Sequence, residues 1–192
     1  MRKTMLLLVA MTTACASQGS YVPEERATAT LGGRTAASYP LPTSQNEQVH
    51  VRVASYGITK LKSPGEPKAI HVRMAVADAG HEPLVVDTSE QRVQLPDGRQ
   101  LAPTYASASM SAPPLVTVQP GSAQNVDLYF TIPDESDPSR FDAIWRVQLG
   151  NRTLSRITPF DKVAVDPAVA REEAAEDIMY GEPYWYGYRW GW

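Results

Sequence analysis

Ile70-His71-Val72-Arg73-Met74-Ala75-Val76-Ala77-Asp78-Ala79-Gly80 is the stretch whose reading decides the fold. Ile70, Val72, Met74 and Val76 fall on one face, and His71, Arg73, Ala75 and Ala77 on the other. A period of two marks a half-buried β-strand, and Asp78-Ala79-Gly80 supplies its stop. A strand with one apolar face needs partner strands and a second layer to cover it.

Outward from this strand the same pattern recurs. Val49, Val51 and Val53 alternate with His50 and Arg52, predicting a first strand that ends near Tyr56-Gly57. Pro83-Leu84-Val85-Val86-Asp87 is a short apolar run, and Pro96-Asp97-Gly98 between Arg92-Val93-Gln94-Leu95 and Gln100-Leu101 predicts a tight hairpin. Leu115 to Val118 leads into the turn Gln119-Pro120-Gly121. Val126, Leu128, Phe130 and Ile132 then alternate with Asp127, Tyr129 and Thr131. Gly150-Asn151 joins residues 141–149 to 152–158 as a two-residue hairpin. Counting back from that turn pairs Val147 with Leu154 and Trp145 with Arg156. A core Trp opposite an Arg calls for stacking of the guanidinium on the ring or a bulge that shifts the register. The Ala- and Ser-rich residues 106–114 read as a mobile loop. These signals predict seven to nine short strands, an all-β, immunoglobulin-like antiparallel β-sandwich over residues 49–166.

Composition agrees. One core is the expectation for 192 residues at 43% hydrophobic content, and sixteen prolines with twelve glycines argue against a helical bundle. A net charge of −3 without a basic cluster gives no reason to expect nucleic-acid binding. Cys15 is the only cysteine, so disulfides and thiolate metal clusters are excluded from the domain.

Arg2 and Lys3, the apolar run from Met5 to Met11, and the small residues Thr12-Thr13-Ala14 before Cys15 have the layout of a secretory signal. The run is too short for a transmembrane helix, which takes about 20 residues. Here the chain resembles bacterial lipoproteins, although Thr12 stands where that class usually has Leu. The resemblance implies cleavage after residue 14 and lipid attachment at Cys15; the alternative is an ordinary signal peptide. Loss of Arg2 and Lys3 with those fourteen residues would take the net charge from −3 to −5. Ala16 after the Cys implies, by the same resemblance, the outer membrane, facing the periplasm. Residues 15–48, rich in Ala, Ser, Thr, Gly and Pro, read as a flexible tether.

Residues 72–80, Val118-Gln119-Pro120-Gly121 and Leu128-Tyr129-Phe130-Thr131-Ile132-Pro133 resemble, in their order, the immunoglobulin-like domain of bacterial surface lipoproteins of unknown function. That resemblance implies a fold and a location, and no activity.

For chemistry, His50 and His71 lie on the outward faces of their strands. With Asp127 they form a candidate metal site, against the alternative of solvated surface histidines. His81 sits in a turn. No Ser lies in Gly-x-Ser-x-Gly, and the acids Asp134, Glu135, Asp137, Glu172, Glu173, Glu176 and Asp177 fall in runs that read as solvated faces. The expectation is a non-catalytic protein without a cofactor.

The end of the chain, residues 167–192, is its most distinctive piece. Residues 168–179 predict a short helix with Asp166 as N-cap and Pro167 in the first turn. Seven of the last thirteen residues are aromatic. Tyr184, Trp185, Tyr186, Tyr188, Trp190 and Trp192 suit contact with an envelope protein or a glycan, because such rings carry large contact area at low entropic cost. The alternative is a tail that packs on its own sandwich or stays disordered. The functional expectation is a lipid-anchored cell-envelope module for binding or structure; the alternative is a periplasmic metal-handling protein using the surface histidines.

Overall fold

The 70–80 alternation becomes β5 (Lys68–Asp78) of a computed structural model, which describes residues 20–24, 29–41, 49–61, 65, 67–78, 80–106, 115–133 and 136–164. Among the described residues thirteen strands form two antiparallel sheets. The first sheet runs β2 (Ala29–Leu31), β3 (Arg34–Leu41), β4 (Val49–Lys60), β5, β11 (Ser122–Thr131) and β9 (Tyr105–Ala106) in spatial order. The second runs β1 (Ser20–Pro23), β13 (Arg152–Val163), β12 (Arg140–Leu149), β6 (Leu84–Asp87) and β10 (Leu115–Val118). In that sheet β7 (Arg92–Gln94) also pairs with β12, and β8 (Gln100–Leu101) with β7.

Ile70, Val72, Met74 and Val76 face inward with Val49, Val51 and Val53 of β4 and Val126, Leu128 and Phe130 of β11. The second sheet meets them with Leu84, Val86, Val93, Phe141, Trp145, Val147 and Phe160. Strand β4 continues past Gly57 to Lys60 because a bulge between Ser55 and Gly57 absorbs one residue. Gly57 takes φ +81, and its N–H donates to Ser55 Oγ at 3.1 Å. The bulge reverses the phase of the strand, so Ile58 packs inward opposite Ile70.

The two sheets meet at a neutral polar seam. Trp145 Nε1 donates to Thr158 Oγ1 at 3.0 Å, and the Thr158 and Tyr39 hydroxyls lie 2.8 Å apart. The Tyr39 and Trp145 rings are 5.2 Å apart and tilted, a favoured aromatic geometry. Tyr39 belongs to the first sheet and its partners to the second, so this contact joins the layers. Gln91 fills a gap in the second sheet between β6 and β7. Its Nε2 donates to the Asp87 and Arg146 carbonyls, and its Oε1 accepts from the Arg146 N–H.

Both hairpins read from the sequence are present. The Pro96-Asp97-Gly98 turn closes through Leu95 N to Arg99 O at 2.9 Å. The register of β12 with β13 pairs Val147 with Leu154 and Trp145 with Arg156. Ten consecutive residue pairs carry that register without a shift, so no bulge separates Trp145 from Arg156. Instead Arg156 is exposed while Trp145 is 1% exposed, because β13 is near the sheet edge at this level.

Two expectations are corrected. Among the described residues of 49–166 there are ten strands, one beyond the seven to nine expected there. The flexible tether over 15–48 does not hold for residues 20–24 and 29–41, which include β1, β2 and β3. Tyr21, Ala36, Ala37, Tyr39 and Leu41 are buried there, and β3 pairs with β4 from Ala36 to Leu41. Small alanines suit a strand that must pack closely, and they disguise it as a linker. Of residues 106–114, Ala106 ends β9 and the rest lie outside the described residues, as do the expected helix and aromatic tail.

Candidate functional site

Three neighbouring strands place polar side chains on the outer face of the first sheet. Strand β5 turns His71 and Arg73 outward, β11 turns Asp127 and Tyr129, and β4 turns Tyr56. The register sets His71 opposite Tyr129, and Arg73 opposite Asp127. Directly opposed residues share a face and touch, so this juxtaposition follows from the pairing.

The contacts form one network. Arg73 Nε donates to Asp127 Oδ1 at 2.7 Å and its Nη2 to Oδ2 at 3.1 Å, a two-pronged bond matched to a carboxylate. His71 Nε2 lies 2.7 Å from Asp127 Oδ1. Arg73 Nη1 donates to the Tyr56 hydroxyl at 3.0 Å, which donates to Leu31 O at 2.9 Å. The network therefore reaches the turn between β2 and β3. Gly32 in that turn has φ +54, and a Cβ there would collide with the Tyr56 hydroxyl.

Rings enclose the imidazole. His71 stacks on Tyr129 at 4.4 Å with planes 19° apart, and lies 4.8 Å from Tyr56. Strands β4 and β11 flank β5, so the two tyrosines cover opposite ring faces. The Arg73 guanidinium carbon sits 4.6 Å from the Tyr56 ring centroid. Side chains of His71, Asp127 and Arg73 are 13%, 19% and 27% exposed.

Burial pulls the Asp127 carboxyl upward, but hydrogen bonds from His71 and Arg73, with the Arg73 charge, hold it below the ordinary carboxylate value. Burial opposes the Arg73 charge, yet the bonds to Asp127 leave it more firmly protonated than a free arginine. Burial raises the phenols of Tyr56 and Tyr129; Arg73 opposes both shifts, and the Asp127 charge reinforces them. The arrangement is a closed charge pair carrying a clamped row of rings.

The expected metal pair does not come together. His50 stands opposite Ala77, whereas His71 stands opposite Gly57, six residues further along β5. That separation is about 20 Å at ~3.3 Å per residue. Among the described residues no group of three or more His, Cys, Asp or Glu side chains is placed to hold a metal. Asp127 does meet His71, as a hydrogen-bond partner already engaged by Arg73. Asp137 pairs with Lys162, and its neighbours Asp134 and Glu135 lie outside the described residues. So do Cys15, Tyr184, Trp185, Tyr186, Tyr188, Trp190 and Trp192. Tyr56, Arg73 and Tyr129 were not singled out from the sequence. Their signal was the alternation His71-x-Arg73 and Asp127-x-Tyr129 on two amphipathic strands.

Two facing antiparallel sheets define an all-β sandwich protein. No family model matches the chain, and no curated protein matches it. Among similar solved structures is MPT63, a secreted protein from Mycobacterium tuberculosis. It is 16% identical over 60% of this chain and 95% of that one, with a TM-score of 0.35. Another is a protein from Archaeoglobus fulgidus, 11% identical over 69% of this chain and 96% of that one, with a TM-score of 0.33. At these scores the likeness carries no argument about function.

Proposed function

We propose that this chain is a non-catalytic, lipid-anchored protein of the bacterial cell envelope, with an immunoglobulin-like sandwich that serves as a binding or structural module. The observation that carries the reading is the row Tyr56–His71–Tyr129, clamped by Arg73 and Asp127. Rings held rigidly on a sheet present contact area without a further ordering cost. The charges beneath them are engaged with each other, which suits recognition better than proton transfer. The aromatic residues Tyr184, Trp185, Tyr186, Tyr188, Trp190 and Trp192 offer a further means of contact with an envelope protein or glycan. The signal layout and Cys15 supply the anchor, and Ala16 favours the outer membrane, facing the periplasm.

The test is a pull-down on envelope extracts and peptidoglycan with the full chain, a deletion of residues 180–192, and Tyr129→Ala. The reading predicts capture that either change weakens. Equal capture by all three would remove the rings from the account. Mass spectrometry of the mature N-terminus is expected to find diacylglyceryl on Cys15.

A further inference from the structure

We propose that the edge of β13 from Arg152 to Thr158, open among the described residues, accepts an extended acidic strand from a partner protein. This edge belongs to the second sheet, whereas the ring row lies on the first. Strand β1 pairs with β13 only at Phe160 to Val163. From Arg152 to Thr158, among the described residues, β13 has a neighbouring strand on the β12 side alone. A bare edge presents backbone donors and acceptors that an added strand can pair.

The side chains on this edge say what that strand must carry. Arg152, Leu154 and Arg156 alternate on one face, and both arginines are exposed. Their spacing is about 13 Å at ~3.3 Å per residue. Arg146, also exposed, stands opposite Ser155 and so lies on the other face, with Ile144 and Ile157. Among the described residues, none of these three guanidinium groups has an ion-pair or hydrogen-bond partner. On a chain whose net charge is −3, they are cations unpaired among the described residues. On the opposite face Ile157 is 55% exposed beside its cross-strand neighbour Ile144.

An antiparallel strand laid on this edge puts its own residues directly opposite, on the same face. Carboxylates opposite Arg152 and Arg156, with an apolar residue opposite Leu154, give the pattern acid-x-apolar-x-acid. An apolar residue just before the first acid lies against Ile157. A second copy of this chain fits badly. Setting Leu154 against Leu154 brings Arg152 opposite Arg156 on both sides, and like charges directly opposed are destabilising. The same arginines that turn away a copy attract an acidic strand.

The experiment is fluorescence anisotropy of a labelled Val-Glu-Thr-Val-Thr-Glu peptide titrated with the full chain. A control peptide carries Lys in place of both Glu. The proposal predicts binding of the acidic peptide, weakened about tenfold or more by Arg152→Glu with Arg156→Glu. The Lys peptide is expected to bind that double variant, a swap that a misfolded protein would not show. Hydrogen exchange of the amides at 153–158 is expected to slow on binding. Equal affinity for both peptides, indifference to the charge reversal, or binding without slowed exchange on β13 would overturn the proposal. Concentration-dependent dimerisation in sedimentation that protects those same amides would overturn it in favour of a second copy.

Discussion

At the seam between the sheets Trp145 and Tyr39 share the hydroxyl of Thr158; on the outer face Tyr56 and Tyr129 enclose an imidazole bound to a carboxylate. Both places set aromatic rings around a polar group, under opposite solvent conditions. Thr158 is 0% exposed, and its partners are neutral. His71, Asp127 and Arg73 keep some contact with water, and there a full ion pair is tolerated. Removing a charge from water without complete pairing costs several kcal/mol, whereas a neutral hydroxyl needs only its hydrogen bonds. The seam joins the two layers, a task that other sandwiches of this size give to a disulfide. The outer network joins three strands of one layer and fixes what that layer displays.

The largest expected effect breaks the seam. Trp145→Ala removes the biggest fully buried side chain among the described residues and should destabilise the fold by about 3–5 kcal/mol in urea denaturation. Thr158→Val keeps the volume but strands the Trp145 N–H and removes the contact with the Tyr39 hydroxyl; about 2 kcal/mol is expected. That loss should be the same in 0.1 M and 1 M salt. Asp127→Ala, by contrast, leaves Arg73 and His71 without their acceptor, and should cost about 1–2 kcal/mol. Its cost should fall in 1 M salt, since the pair is screened from the solvent side. Gly32→Ala acts on the far end of the network. Strain at φ +54 and a collision with the Tyr56 hydroxyl should cost about 1 kcal/mol. The rise in the Tyr56 hydroxyl's hydrogen exchange would report that the latch on Leu31 had opened.

Local pattern carried much of this fold. The alternation at 70–76 placed β5 and its inward face, and Gly150-Asn151 set the register of β12 on β13. It failed where composition hid the pattern. Ala36 and Ala37 are buried at 0% exposure, yet in an Ala-, Ser- and Thr-rich stretch they look like linker residues. The outer network was out of reach for another reason. Asp127 is 54 positions from Arg73, and only the adjacency of β11 to β5 brings them together. His50 and His71 fall on the outward faces of two strands that do pair, but the antiparallel direction of β4 and β5 keeps them apart. Arg156 opposite Trp145 was read correctly as a pair. Its outcome depended on where β1 stops along β13, which no local pattern records.

The contrast between a neutral seam and a charged face is tested most directly by the pH dependence of unfolding for wild type and Asp127→Asn. The Asp127 carboxyl is held below its unfolded value, near 3.9 for an ordinary aspartate. Its contribution is therefore present above that pH and lost as pH falls through the folded value. Urea denaturation from pH 7 down to pH 3 should show a gap between the two proteins that is constant near neutrality and narrows in acid. A gap of unchanged size at pH 3 would contradict the account, because it would mean that the charge of Asp127 contributes nothing to holding this face together.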